Sequence, residues 1–386
     1  MEITGIICEY NPLHQGHKKQ IGAIRRLMGK DSGIVCLMSG NFVQRGTPAI
    51  VDKQYRARAA ILSGADLVLE LPVTYALSSA EGFASGSVEI LSPFCDYLCF
   101  GAETADPEVL MTTAAALLSP DFSVTLREKL DQGVSFPAAR QAALEGMGLD
   151  GSILSQPNNI LAVEYCKAIL AQGSSMKPIP ITREGGYHDT RADLENPSAT
   201  AVRTMMLSGG DWDEYVPEEA RECFRDASLH TLAAGERAIL ARLRTMTEAE
   251  FEALPYGSEG LWRKFMHACR EEATLECIIA ATKSKRYTRT RIDRMVMCAF
   301  LGLTEKVLSS PAPYARVLAF NDRGRKLLKK SRKYGDFPNI GERLDSPYQE
   351  IEDRCGDLYG LFAAAGPEAP GTERTRRVFY CRENNG

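Results

Sequence analysis

Short apolar runs alternate along the first half of the chain with segments whose apolar residues return every three or four positions. Ile3 to Cys8, Gly33 to Met38, Asp66 to Pro72 and Asp96 to Phe100 read as buried strands. Lys177 to Arg183 alternates around Pro178 and Pro180, which places it at an edge or as a last strand. Between these runs the period changes. Ile21, Ile24, Leu27 and Met28 mark a first helix, and Asp52 to Leu62, Ser78 to Leu91 and Asn158 to Ala168 mark others. Strand–helix alternation at this spacing predicts βαβ units, hence an α/β fold on a parallel sheet with right-handed crossovers. Residues about 106–148 read as a helical insertion. From Val216 to Leu308 the pattern is helical throughout, then Tyr314 to Phe320 reads as a strand and Asp322 to Lys333 as a helix. The pattern thus divides the chain into an α/β part over 1–210, a helical part over 211–310 and a small basic α+β part over 311–386.

Length supports that division, since 386 residues are long for one core. Charge changes the picture more. Lys and Arg number 46 against 50 Asp and Glu, so no global basic excess advertises nucleic acid and any such site must be a local patch. Two patches exist. Lys283 to Arg294 holds six basic residues (Lys283, Lys285, Arg286, Arg289, Arg291 and Arg294) and one acid in twelve positions, with Tyr287 among them. Asp322 to Lys333 carries Arg323, Arg325, Lys326, Lys329, Lys330, Arg332 and Lys333. Such runs are either solvated faces or footprints for a phosphate backbone.

The eleven cysteines contain no Cys-x-x-Cys, and Cys95 with Cys99 stands alone, whereas zinc needs about four ligands. No protein metal site is expected. The amino terminus has no signal-peptide layout and no apolar run approaches membrane-spanning length. Reduced thiols, a cytoplasmic location, no membrane and no protein partner are the expectations.

Candidate chemistry gathers where the strands end. In open parallel sheets ligands bind beyond the carboxyl ends of the strands, and Glu9, Asn11, Ser39, Asn41, Gly101 and Glu103 all fall there. After the first strand, Asn11-Pro12 breaks the run, and His14-Gln15-Gly16-His17 opens the first helix. A helix N-terminus offers free N–H groups and about half a positive charge, a ready anion site. Pro197 to Arg203 enters a later helix through Ser198 and Thr200, and Asn158-Asn159 start another. Capping alone is the plainer account of Ser198 and of the amide pair.

His14-Gln15-Gly16-His17 resembles the signature of the nucleotidyltransferase superfamily, and Ser198, Thr200 and Arg203 resemble its second signature. The likeness narrows further. Glu9 to His17, Met38 to Gly46, Gly64 to Pro72, Phe100 to Glu103, Asn158 to Leu161 and Lys285 to Thr288 are similar, in the same order, to the tRNA(Met) cytidine acetate ligase family. The resemblance implies a Rossmann-like nucleotidyltransferase domain that activates acetate with ATP as acetyl-adenylate. It also implies transfer of the acetyl group to N4 of the wobble cytidine of elongator tRNA(Met). By it, Ile7, Cys8, Glu9, Tyr10, Asn11, Pro12, Leu13, His14, Gly16 and His17 contact ATP together with Gly101, Asn158 and Arg183. Ser198, Thr200 and Arg203 hold the outer phosphates, and Mg2+ accompanies ATP. His14 and His17 stabilise the charge that builds on the α-phosphate. Leu13 stands where the family commonly has an aromatic, and Ala102 where it commonly has serine. A small-molecule nucleotidyltransferase would share both histidines but has no use for two basic helices. An RNA-binding protein with a vestigial nucleotide fold would leave both signatures unexplained.

Overall fold

The computed structural model describes residues 1–182 and 197–382. Among these residues nine strands form: β1 (Ile3–Cys8), β2 (Gly33–Ser39), β3 (Phe42–Val43), β4 (Thr47–Pro48), β5 (Leu67–Leu71), β6 (Tyr97–Ala102), β7 (Lys177–Thr182), β8 (Val317–Asn321) and β9 (Phe379–Cys381). Seven of them make one sheet in the order β7-β6-β1-β2-β5-β8-β9, with β3 and β4 a separate hairpin. The five strands from the first half run parallel, as the alternation predicts. β7 is an edge. Its Lys177 N–H bonds Asp96 O, so by the two-residue period the missing donors of Pro178 and Pro180 face away from β6.

Alternation along the strands builds two cores. Ile3, Ile7, Val35, Leu37, Leu67 and Leu69 face helices Ala80–Leu91 and Pro157–Ala171, whereas Ile6, Ile34, Cys36 and Met38 face helices Gln15–Met28 and Lys53–Leu62. A third core lies among helices between Leu232 and Leu301 and takes in Tyr359 and Phe362. The 311–386 region does more than follow the helical part. β8 pairs antiparallel with β5 and β9 pairs with β8, so this region completes the sheet begun at Ile3.

All eleven cysteines are free thiols, and Cys95 and Cys99 are buried core residues. No single helix among the described residues is long and apolar enough to cross a membrane.

Candidate active site at the carboxyl ends of the strands

β1 ends at Cys8, and the chain turns at once. Tyr10 takes φ 45°, a left-handed conformation that a bulky residue rarely enters, and Pro12 follows through a cis peptide. The turn is held from several sides. Glu9 Oε1 accepts from Gln44 N at 2.9 Å, and Asn11 Oδ1 accepts from Ile50 N at 2.8 Å. Tyr10 and Leu13 are fully buried, with Tyr10 OH 3.5 Å from Cys36 Sγ. Burial pushes the Tyr10 hydroxyl and the Cys8 thiol well above their ordinary pKa, so both are neutral walls rather than acids.

The helix Gln15–Met28 begins immediately after His14. His17 Nδ1 accepts the His14 backbone N–H at 3.2 Å, and His17 N donates to His14 O at 2.9 Å. A ring nitrogen that accepts an amide proton carries none itself, so the neutral His17 ring holds its hydrogen on Nε2. The His14 and His17 rings stack with centroids 3.7 Å apart, and the Tyr10 ring meets His17 edge-on at 4.9 Å. Gly16 makes room for this pair: a Cβ there would lie 3.1 Å from His14 Cε1.

The second signature reaches the first. Ser198 caps the helix Ala199–Ser208, its Oγ accepting from Ala201 N at 3.0 Å. Arg203 then extends Nη1 to Asn11 O at 2.7 Å and Nη2 to Thr200 Oγ1 at 3.0 Å. Two stretches almost 200 residues apart in sequence are thereby joined by one guanidinium. Gly101 lies near the end of β6. Beyond it, Glu103 Oε1 accepts from Asn158 Nδ2 at 2.7 Å, and its Oε2 accepts from Asn159 N at 2.8 Å. Glu103, supplied from the end of β6, therefore caps the helix that starts at Pro157, and the Asn158 amide is held beside the same strand end. Arg183 lies outside the described residues.

Arg56, on the helix Lys53–Leu62, organises the site. It is 0% exposed. Its Nε donates to Val51 O at 2.7 Å, Nη1 to Glu9 O at 2.6 Å and to Ser39 O at 3.1 Å, and Nη2 to Gly40 O. One side chain thus ties the ends of β1 and β2 together by using carbonyls that the strands leave open. Burial lowers its pKa from the ordinary value, and nearby acidic groups oppose that. Beside it Lys53 Nζ is buried against Glu70 at 2.7 Å and Glu373 at 2.8 Å, and Arg376 binds Asp52 at 2.5 Å. No sequence signal marks these pairs, because Glu373 lies 320 residues from Lys53.

The basic segment Lys283 to Arg294 comes to the same end of the sheet: a Cβ on Gly46, in the β3–β4 turn, would lie 2.5 Å from Arg294 N. Its arginines are engaged. Arg286 pairs with Glu259 at 2.7 Å, Arg289 with Glu276 at 2.5 Å, and Arg291 donates to Tyr256 O at 2.8 Å and Ser258 Oγ at 2.9 Å. Arg294 is buried, 5.0 Å from the Tyr256 ring centroid. Lys283 and Lys285 are exposed. Among the described residues no group of three or more His, Cys, Asp or Glu is placed to hold a metal ion.

The donors gathered here are of the kind that can hold an anion. A helix N-terminus, two stacked imidazoles and a guanidinium lie close together after the end of β1, a set of donors of the kind that stabilises charge on phosphoryl groups. Comparison with known proteins agrees. The model of the HIGH Nucleotidyl Transferase family matches residues 1–367. The tRNA(Met) cytidine acetate ligase of Clostridium novyi is 38% identical over 357 residues, covering 88% of this chain and 89% of that protein. The protein of the same name from Clostridium acetobutylicum is 37% identical over 88% of this chain and 90% of its own. The crystal structure of Thermotoga maritima TmcAL in apo form I superposes with a TM-score of 0.89 at 29% identity, over 99% of this chain and 100% of that one. The form of TmcAL bound with alpha-thio ATP gives 0.86 at 28% identity. This chain belongs to the HIGH nucleotidyl transferase family and, within it, to the tRNA(Met) cytidine acetate ligases.

Proposed function

We propose that this chain binds ATP over the ends of β1 and β6, activates acetate, and acetylates N4 of the wobble cytidine of elongator tRNA(Met). The observation that carries the reading is the junction of the two signatures: Arg203 bonds Asn11 O in the same turn whose His17 ring accepts the His14 amide. The names of the relatives and the nucleotide held by the Thermotoga protein support it. In the first step an acetate oxygen attacks the α-phosphorus and pyrophosphate leaves. In the second, N4 attacks the acetyl carbon, gives up a proton, and AMP leaves.

In this reading the residues from Ile7 to His17, with Gly101 and Asn158, line the nucleotide. The His17 Nε2–H and His14 face the α-phosphate, and Ser198, Thr200 and Arg203 hold the outer phosphates. Arg183 is proposed as an ATP contact on the resemblance alone. Mg2+ enters as the counter-ion that ATP carries. Lys283 and Lys285, with the exposed Arg286 and Arg289, form the tRNA face of the helical part, and Arg291 and Arg294 support it through the Tyr256 carbonyl and ring. The three-part division at 210 and 310 describes where these tasks fall, and the working location is the cytoplasm.

The test is incubation with ATP and labelled acetate, with and without elongator tRNA(Met). Acetate-dependent pyrophosphate release and labelled N4-acetylcytidine in the digested tRNA are the expected result. Release supported by a phosphorylated metabolite and not by acetate would replace this reading with a small-molecule adenylyltransferase.

A further inference from the structure

The second basic segment takes no part in the site described above. Its helix, Asp322–Ser331, starts where β8 ends, and β8 runs antiparallel to β5. The helix therefore lies at the amino ends of the parallel strands, across the sheet from His14. Two close approaches pin it there. A Cβ on Gly33, the first residue of β2, would sit 2.8 Å from Leu327, and one on Gly324 would collide with the carbonyl oxygen of Asp66, just before β5. A strand of five to seven residues spans about 20 Å, which sets the separation between the two ends.

Leu327 and Leu328 are buried on the sheet, leaving Arg325, Lys326, Lys329, Lys330, Arg332 and Lys333 exposed. A groove of about 670 Å³ opens among Arg325, Lys326, Lys329 and Arg332, floored by Phe320 and Leu328. The neighbouring acids are occupied. Asp66 is held by Arg25 at 2.6 Å and Asn321 at 3.0 Å, and Asp322 accepts from Tyr380 OH at 2.6 Å and lies 3.5 Å from Arg325. Among the described residues no carboxylate pairs with Lys326, Lys329, Lys330 or Lys333. Positions 326, 329 and 330 are three and four residues apart on the helix, so their ammonium groups share one face within about one turn of 5 Å, and the exposed Lys333 follows in the turn just past the helix end.

A line of charge suits a polymer of phosphates, where a single nucleotide would need a point. Lysine supplies point charges without the fork that reads one particular acceptor, the chemistry of sequence-independent backbone contact. We propose that this face is a second contact surface for the tRNA, gripping phosphodiester backbone of the tRNA body far from the cytidine being modified. The proposal rests on the tRNA reading above and adds a place: the reactive base is bound at one end of the sheet, and the remainder of the RNA at the other.

The experiment compares the wild type with a Lys326→Gln/Lys329→Gln/Lys330→Gln/Lys333→Gln variant and with its four Lys→Arg counterparts. Acetylation kinetics are read on full-length elongator tRNA(Met) and on its isolated anticodon stem-loop. In the Gln variant KM for full-length tRNA should rise ~10-fold with kcat unchanged, and the log-log salt slope of tRNA binding should fall by roughly 3. KM for the stem-loop and acetate-dependent pyrophosphate release should be unchanged, and the Arg variant should match the wild type. An unchanged KM and salt slope would overturn the proposal. So would an equal loss on the stem-loop, which would mean the lysines act on the site itself. Wild-type-like tRNA kinetics with lost binding to phosphatidylserine vesicles would assign the face to a membrane surface and also overturn it. A wild type that acetylates neither RNA, while still binding tRNA with the steeper salt slope, would instead sink the proposed reaction and leave the binding surface standing.

Discussion

The two basic segments look alike as strings of residues and differ in what their charges do. In Lys283 to Arg294 the arginines are used by the fold: Arg291 satisfies the Tyr256 carbonyl, Arg294 is buried on the Tyr256 ring, and Arg286 and Arg289 are neutralised by Glu259 and Glu276. In Asp322 to Lys333 the arginines are engaged too, Arg323 with Asp66, Arg325 with Asp322 and Arg332 with the Phe337 carbonyl, but the four lysines are exposed with no carboxylate partner among the described residues. Charge density in a sequence therefore does not measure charge available to a ligand. Availability depends on whether a partner carboxylate or carbonyl happens to be brought within about 3 Å, and that is decided by packing.

The contrast between committed and available charge can be broken at several points. The strongest is Arg56, the most committed charge of all. Arg56→Met should destabilise the protein by about 3–5 kcal/mol, since it leaves the carbonyls of Val51, Glu9, Ser39 and Gly40 buried without donors. Urea unfolding measures it, and a loss under 1 kcal/mol would mean water replaces the guanidinium. His17→Ala should leave the fold intact and cut turnover by ~100-fold or more, with ATP affinity changing far less. Comparable losses in both would make His17 an ordinary binding residue.

A paired experiment then separates the two kinds of charge inside one segment. Arg294→Gln should cost about 1–3 kcal/mol of stability and leave the salt dependence of tRNA binding alone, because the side chain is 9% exposed. Lys283→Gln/Lys285→Gln should do the reverse, reducing the salt slope by roughly 1.5 at unchanged thermal stability. If both variants behave alike, the distinction drawn from the geometry fails.

The smallest effect concerns Asp293, whose carboxyl burial pushes up to about 6, against the pull of Arg289. A carboxyl with a raised folded pKa binds its proton more tightly in the folded state. Its contribution to stability is complete below the unfolded value of about 4 and is lost as pH rises through about 6. Asp293→Asn should flatten the pH dependence of the melting temperature in that window, and an unaltered profile would show that Arg289 dominates.

Much of the fold was legible because it is written locally. The parallel strands and their helices follow from period two giving way to period 3.6, and the first signature follows from residues within one turn of each other. The site was legible in part. His14 and His17 lie where the strand-to-helix turn predicts, and Arg203, braced by Thr200, reaches the Asn11 carbonyl of the same turn. Glu103 falls at a strand end in the sequence without its role as a cap showing, and nothing in the sequence marks the carbonyls that Arg56 satisfies, since a donor's partners are invisible until the loops close.

By itself the sequence determined the order of strands and helices, the end of the sheet where chemistry gathers, and the family, because these reside in spacing between near neighbours. Only the tertiary structure decided that β8 and β9 complete the same sheet, that Glu373 reaches back 320 residues to Lys53, and that the two basic segments lie at opposite ends of one sheet. Those outcomes depend on contacts between distant parts of the chain, whose energies are set by burial and mutual geometry and have no local signature.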